Sequence, residues 1–458
     1  MLKKKKGRAW LVLFVIAIMA LSSVFAWFVM YVFEGENPSL VVRPLPEFLS
    51  EGRTFTLEAG DKKRGLRSLR ATIDQSGRKA VVFEKDFPYE GLFNKDGIYK
   101  HEAEFQIDPT ALNLAQGRAV LEVQAFDHSR RGGGDGNRTL LIHNLIVDTI
   151  PPSIRAMTRL HYVNQGGTCL VIYQASSDTH KSGVMVNSDH YPGHPVDEEN
   201  ADGLHLCYFA VPHDMDPKAE IMLWAEDEAG NQTVASFYHR IRAKRFRSDR
   251  MNITDKFLEQ ILPYFSFLTF DEQDTSVERY LKINNELRER NHETMRKIQK
   301  ESSPKQLWEG VWMRLPNAAT MARYADHRVY FYSGEPIDEK YHMGVDLASL
   351  ANSPVPAANH GRVVFAERLG IYGNTVILDH GQRLMSLYGH LSSMSVSRGQ
   401  DVERGDVIGF TGTTGLAGGD HLHFSVMVNG THVNPIEWWD AHWIRDNVEE
   451  KLSTLDNR

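Results

Sequence analysis

The chain has 458 residues, 24% of them charged, and a formal charge of −7, which allows two to four domains. Nothing in this mildly acidic balance calls for a nucleic-acid partner. Its partners must be read from local sites.

Residues 9–33 form an uncharged, strongly apolar run. At 1.5 Å per residue, such a helix spans a hydrocarbon core of about 30 Å. Lys3, Lys4, Lys5, Lys6 and Arg8 precede it, which keeps that end in the cytoplasm and exports everything after Glu34. The rival reading is a signal peptide cleaved at the small-residue stretch Val24, Phe25, Ala26. The apolar residues that continue through Val32 exceed a normal signal core and favour the uncleaved anchor.

From Ser39 to about Arg240 the pattern is short alternating runs, such as RTFTLEA, AVLEVQAFD and AEIMLWAED, cut by Gly, Asn and Asp turn residues. Antiparallel sandwiches are written this way. A repeat divides the stretch: Ala125, Asp127, Asn137 and Thr139 match Ala225, Asp227, Asn231 and Thr233, with VDTIPPSI as a stiff junction between the copies. Both copies resemble bacterial immunoglobulin-like modules, in which an A-x-D-x-x-G-N turn and a D-T-x-P-P linker recur; the resemblance implies spacers or a surface for an envelope protein partner. Cys169 and Cys207 lie on apparent strands of the second copy, where either a disulfide or two buried thiols is open. The basic run Arg240, Arg242, Lys244, Arg245, Arg247, Arg250 reads as a solvated face, with anionic lipid or wall polymer as the other possibility.

Between about Asn252 and Lys300 the period becomes helical. Thr275 and Glu278 fit a capping box, and Tyr280, Ile283, Leu287, Met295 and Ile298 recur at helical spacing among charges. This connector either joins the flanking domains or lies across the groove of the domain that follows.

After Val311 come short, strongly apolar runs with Gly and Asn-Gly turns, the mark of a compact antiparallel β domain. Strand periodicity places His342 and Asp346 of YHMGVDL on one face, with Gly344 between them, and His421 beside His423 in DHLHF. Two imidazoles and a carboxylate suit zinc with a fourth position open to water. Neither cysteine belongs to this constellation, so thiolate ligation and a cysteine nucleophile are not indicated. His360, His380, His432 and His442 are read as ordinary polar residues, and Trp438, Trp439 and Trp443 as packing on the β core rather than as exposed glycan-binding surface.

In order, H-x-G-x-D, PVPAANHGRVV, YGNTVILDHG, LYGHLS, GDVIGFTGTTG and HLHF with Asn434-Pro435 resemble the lysostaphin and LytM group of zinc metallopeptidases, which cut peptide cross-links of the bacterial cell wall. That resemblance implies Zn2+ on His342, Asp346 and His423, with His390 and His421 as catalytic histidines. Two positions depart from the commonest pattern: Asp420 stands where Pro is frequent and Ser425 where Glu is frequent, which bears on substrate preference.

The expected architecture is mainly β: a basic stub and transmembrane anchor (1–34), two immunoglobulin-like sandwich modules (35–148 and 149–250), a helical connector (251–310) and an antiparallel zinc metallopeptidase domain (311–458). The expected activity is hydrolysis of amide bonds in peptidoglycan peptides at the envelope face of a bacterial inner membrane. Two alternatives remain at this point. One is a LytM-type regulator of other wall hydrolases, and the other is an adhesion or scaffold protein working through the β modules.

Overall fold

The computed structural model describes residues 3–197 and 202–456, without the side chains of residues 3–8, 92 and 456. The basic side chains Lys3, Lys4, Lys5, Lys6 and Arg8 therefore lie outside the described residues. The architecture is mainly β, and the chain divides into two compact units, one of residues 1–151 with 228–231 and one of residues 152–227 with 232–458.

The first unit opens with helix Lys3–Val32. Its 24-residue stretch Ala9–Val32 has a mean hydropathy of 2.6 and is exposed apart from its last residues, so length and composition suffice to cross a membrane. The β part of this unit pairs two sheets. One has the order Ser39–Arg43, Arg53–Gly60, Lys100–Ile107; the other runs Phe48–Leu49, Arg138–Val147, Gly117–Asp127, Leu66–Gln75, Arg78–Asp86. Alternate residues point inward, as in Arg53–Gly60, where Phe55, Leu57 and Ala59 are buried. These meet Leu69, Ile73, Phe105, Leu121 and Val123 in one core.

The second unit begins with two four-stranded sheets built from segments between Ile154 and Ser236. The sequence repeat has a structural counterpart: Ala125 pairs with Thr139 across one hairpin, and Ala225 pairs with Thr233 across the other. Cys169 and Cys207 are buried free thiols on neighbouring strands, where Cys207 faces Val171 and Cys169 faces Phe209. No disulfide joins them. Most of the basic run, including Arg242, Lys244, Arg245, Arg247 and Arg250, is exposed, in line with a solvated face.

The C-terminal part is built on an eight-stranded sheet ordered Ala319–Ala322, Val345–Ala348, Leu422–Val428, Leu384–Leu391, Asn374–Asp379, Gly361–Arg368, Asp401–Val402, with Thr431–Val433 hydrogen-bonded beside Leu422–Val428. One hydrophobic core runs from Ile154 and Tyr173 through Trp308 and Trp312 to Tyr388, Phe424 and Trp438. Trp438 is fully buried, and Trp439 stacks on Phe424 with centroids 5.4 Å apart. These rings pack on the β core.

Glu437 closes a polar contact in the same region, accepting from Asn164 Nδ2 and the Thr168 amide, each at 2.9 Å. Burial raises its pKa to about 7, above the ordinary 4.5. The folded state then holds the proton more tightly than the unfolded chain, so stability is highest below pH 4.5 and falls as pH rises toward 7. The window corresponds to about 3 kcal/mol at ~1.4 kcal/mol per pH unit. Urea unfolding should therefore show Glu437→Gln improving relative to the parent chain between pH 5 and pH 8; parallel pH profiles would exclude the carboxyl as the source.

The helical connector forms as its spacing indicates. Thr275 Oγ1 accepts from the Glu278 amide at 3.2 Å, and Glu278 Oε2 accepts from the Thr275 amide at 2.8 Å, completing a capping box. Helix Ser276–Lys282 continues through a π turn at Ile283–Leu287 into helix Arg288–Gln299. Tyr280, Ile283, Leu287 and Met295 are buried against Ile371, Tyr372, Ile377, Leu387 and Met427 of the β domain.

Candidate metal centre

Adjacent antiparallel strands supply two of the donors: Asp346 on Val345–Ala348 stands directly opposite His423 on Leu422–Val428. Opposed residues of such a pair share a face, so imidazole and carboxylate meet without any long-range adjustment. His342 arrives differently from the sequence expectation. Strand Glu335–Tyr341 ends before it and the next begins at Val345, so His342 and Gly344 sit in the intervening turn rather than on one strand with Asp346. Two hydrogen bonds fix that turn, from the His342 amide to the Asp326 carbonyl and from the Ala325 amide to the His342 carbonyl. Gly344 is needed for close approach: a Cβ there would lie 2.6 Å from both His423 Nε2 and Ser425 Oγ.

The three groups converge tightly. His342 Nε2 and His423 Nδ1 each lie 2.9 Å from Asp346 Oδ1, and the two nitrogens are 3.1 Å apart. The far side of each ring decides its tautomer. His342 Nδ1 is 3.0 Å from the Arg323 carbonyl, which can only accept, so Nδ1 carries the hydrogen and Nε2 presents a lone pair. Ser425 donates its one hydroxyl hydrogen to the Met343 carbonyl at 2.8 Å, so its oxygen accepts from His423 Nε2–H at 2.9 Å and leaves Nδ1 bare. Three lone pairs thus point at one spot. Tetrahedral coordination at 2.0–2.1 Å sets donors about 3.3 Å apart, within a few tenths of an ångström of these separations.

Electrostatics agrees with this. Burial lowers the His423 pKa to about 4, keeping the ring neutral. Arg328 Nη2 binds the other carboxylate oxygen, Oδ2, at 2.9 Å, which leaves Oδ1 for the shared point.

His390 and His421 flank the cluster, their ring centroids 4.8 Å apart. His390 has φ of +63°, a left-handed conformation uncommon for histidine, at an irregularity in the pairing of Leu384–Leu391 with Asn374–Asp379. The irregularity turns the ring toward the cluster while Nδ1 donates to the Thr414 carbonyl at 2.7 Å. His421 precedes its strand, gives its Nδ1 hydrogen to the Gly419 carbonyl at 2.8 Å, and sets Nε2 3.6 Å from Asp346 Oδ1. Both rings therefore present an unprotonated Nε2. Burial keeps His390 well below the ordinary histidine range. By contrast His380 is satisfied by the His360 carbonyl and Ser386 Oγ, both at 2.7 Å, as an ordinary buried histidine.

The structure brings together all five residues singled out in the sequence and adds Ser425 and Arg328. Ser425 stood out only as a departure from a common pattern; its orienting bond to His423 was not legible. Ser425→Ala should weaken metal retention by roughly 10–100-fold, the usual cost of losing a partner that orients a ligand. Competition with a chromogenic chelator measures this, and unchanged affinity would show that the hydroxyl does not set the His423 tautomer.

The centre opens into a cavity of about 200 Å³ roofed by Phe257, Tyr280, Asn284 and Arg288 of the connector. Buried Asn284 sits in the π turn, donating to Asp338 Oδ2 at 2.8 Å and accepting from Arg288 Nη2 at 2.6 Å. Sites for drug-sized ligands occupy ~300–1,000 Å³, so this cavity is small by comparison.

Residues 340–435 match Peptidase family M23. An M23 peptidase domain occupies this end of the chain. The M23 domain is 42% identical over 97 residues to the DD-carboxypeptidase/endopeptidase Mpg of Neisseria meningitidis and 40% identical over 96 residues to the peptidoglycan DD-endopeptidase ShyA of Vibrio cholerae. Each match covers 21% of this chain and 22% of the relative, so the chain spans about a fifth of the length of these relatives. Among solved structures, a Pseudomonas aeruginosa protein described as an M23 peptidase is 21% identical, with a TM-score of 0.39 over 60% of this chain and 95% of that one. The lysostaphin catalytic domain of Staphylococcus simulans is 30% identical, with a TM-score of 0.24 over 27% of this chain and 94% of the other.

Proposed function

We propose that the chain is a zinc endopeptidase that hydrolyses amide bonds in peptidoglycan stem peptides or cross-bridges, held at the envelope face of a bacterial inner membrane by residues 9–33. The observation that carries this reading is the convergence of three lone pairs, with the tautomers of both histidines fixed by their outer partners. The match to M23 and the endopeptidase names of its relatives support the substrate class. His342, Asp346 and His423 would hold zinc, which when bound supplies Lewis acidity and a water of lowered pKa.

The chain's own residues then divide the proton work. His421, the more accessible of the flanking pair, accepts a proton from the attacking water at Nε2 while Gly419 holds its Nδ1–H. His390, aimed from its left-handed position with its ring beside His421, passes the proton that His421 took from the water on to the leaving amine through Nε2. Arg328 keeps Asp346 in place through its second oxygen. The two β modules at 35–148 and 149–250 are read as immunoglobulin-like spacers that can also meet an envelope protein, and 251–310 as a connector that restrains access.

The intact chain in detergent, incubated with purified peptidoglycan, should release shortened muropeptides identifiable by mass spectrometry, and zinc chelation should stop it. Release of the chain from membranes by high salt alone would argue against the anchor. Because every donor and both flanking histidines are in place, an enzyme is favoured over a regulator that has lost its metal.

A further inference from the structure

The first unit contains a second convergence of charge that the peptidase chemistry does not use. Glu34 lies just past helix Lys3–Val32, Asp61 follows strand Arg53–Gly60, and Asp127 ends strand Gly117–Asp127. Each brings a carboxylate oxygen within 4.8 Å of the other two. Their exposures are 7, 4 and 0%. Among the described residues the cation paired with them is Lys63, whose half-exposed ammonium is 3.9 Å from Glu34 Oε2. Burial, with Asp127 and Asp61 alongside, raises the Glu34 carboxyl above its usual range.

Two further details point to a ligand. Asp61 Oδ1 accepts three backbone N–H bonds, from Lys63, Arg64 and Gly65, while its Oδ2 is buried with no hydrogen-bond partner. Asn137 Nδ2 stands 2.8–3.2 Å from four oxygens: Asp127 Oδ2, Glu34 Oε1 and the carbonyls of Glu34 and Glu36. Other donors also serve these oxygens, from Ser129 Oγ to the Glu34 carbonyl, from the Ser129 and Asn137 amides to Asp127 Oδ1 and from the Glu36 amide to Glu34 Oε2, so Asp61 Oδ2 is the cage oxygen left without a partner.

The second copy of the repeat supplies a contrast. Asn231, the counterpart of Asn137, donates to the Asp148 carbonyl at 2.9 Å, so tying down the incoming chain is the shared task of this amide. Ser176 follows strand Thr168–Ala175 there, where Asp61 follows its own strand, and no comparable acidic triad forms among the described residues. The junction is thus built without three acids, and the extra carboxylates of the first copy need another explanation.

We propose that Glu34, Asp61 and Asp127 bind one calcium ion. The donors are all oxygens, which excludes a preference for zinc or copper. Carbonyls and loop carboxylates of irregular arrangement suit the flexible six- to eight-fold coordination of calcium better than the octahedron that magnesium demands. The ion would offset three buried charges and stiffen the point where the apolar helix enters the β unit.

Calcium titrated calorimetrically into the full chain in detergent should bind with one-to-one stoichiometry and a Kd on the order of 10⁻⁵–10⁻³ M, as in loop sites of this donor type. Glu34→Gln and Asp61→Asn should each weaken binding at least ~10-fold, roughly the effect of losing one charged donor, whereas Asp346→Asn should leave it unchanged. Calcium should also raise the melting temperature of the unmutated chain, a readout that needs no variant. Absence of both heat and thermal shift at ten times that concentration range overturns the proposal. So does binding that survives both variants, binding lost only in Asp346→Asn, or tighter binding of magnesium than of calcium.

Discussion

His423→Ala is expected to lose bound zinc and to reduce peptidoglycan hydrolysis to background. The ring supplies one of three converging donors, and its strand partner Asp346 cannot hold the ion with His342 alone at comparable affinity. A bound metal contributes several kcal/mol of charge stabilisation, so its loss costs roughly 10³-fold or more in rate. Asp346→Ala and His342→Ala should behave alike. His390→Ala and His421→Ala should separate from these by keeping metal while turnover falls roughly 10²–10⁴-fold, the range for loss of a general acid or base. Metal content measured alongside hydrolysis distinguishes the two classes, and full hydrolysis by His423→Ala would refute the site.

The candidate ligand positions were legible because local spacing and strand pairing carry them. In His421 and His423 a period of two suffices, and Asp346 needs only the neighbouring strand. The reason given by sequence for His342 was incomplete, since the turn at Gly344, not a continuous strand, delivers that ring. His390 could be singled out only through the resemblance of LYGHL, because a positive φ at histidine leaves no mark in composition or periodicity. Arg328 and Ser425 act through contacts between residues 18 and 82 positions apart, from Arg328 to Asp346 and from Ser425 to Met343, which no local pattern encodes.

The same distinction holds for the fold. The alternating runs, the capping box and the repeated Ala-to-Thr hairpin pairing follow from short-range rules. The continuity of the second β module's core with the Trp308, Trp312 and Trp438 cluster does not, because it depends on which of several apolar faces meet. Helical periodicity likewise identified the buried face of the connector but not what it covers. Tyr280, Ile283 and Leu287 could have packed on any apolar surface; they pack beside Ile371 and Tyr372, at the edge of the metal centre.

That placement leads to the second large effect: loosening the connector should raise activity. Phe257, Tyr280 and Asn284 line the cavity of about 200 Å³ at the centre, and if substrate must pass them, the observed rate scales with the open fraction. Tyr280 is 2% exposed and packs in the connector's core, so Tyr280→Ala removes about 3–5 kcal/mol of packing on a par with other large aromatic truncations. If half of that loss falls on the closed arrangement, the open fraction rises roughly 10-fold or more, at ~1.4 kcal/mol per decade, until it saturates. A milder pair, Thr275→Ala with Glu278→Ala, removes the capping box at about 0.5–2 kcal/mol and should raise the rate by a smaller factor in the same direction. None of these residues touches His342, Asp346 or His423 in the contacts described, so zinc content should stay constant while muropeptide release increases. A folded, zinc-loaded Tyr280→Ala or capping-box variant with unchanged or lower hydrolysis would mean that the connector supports the groove instead of closing it.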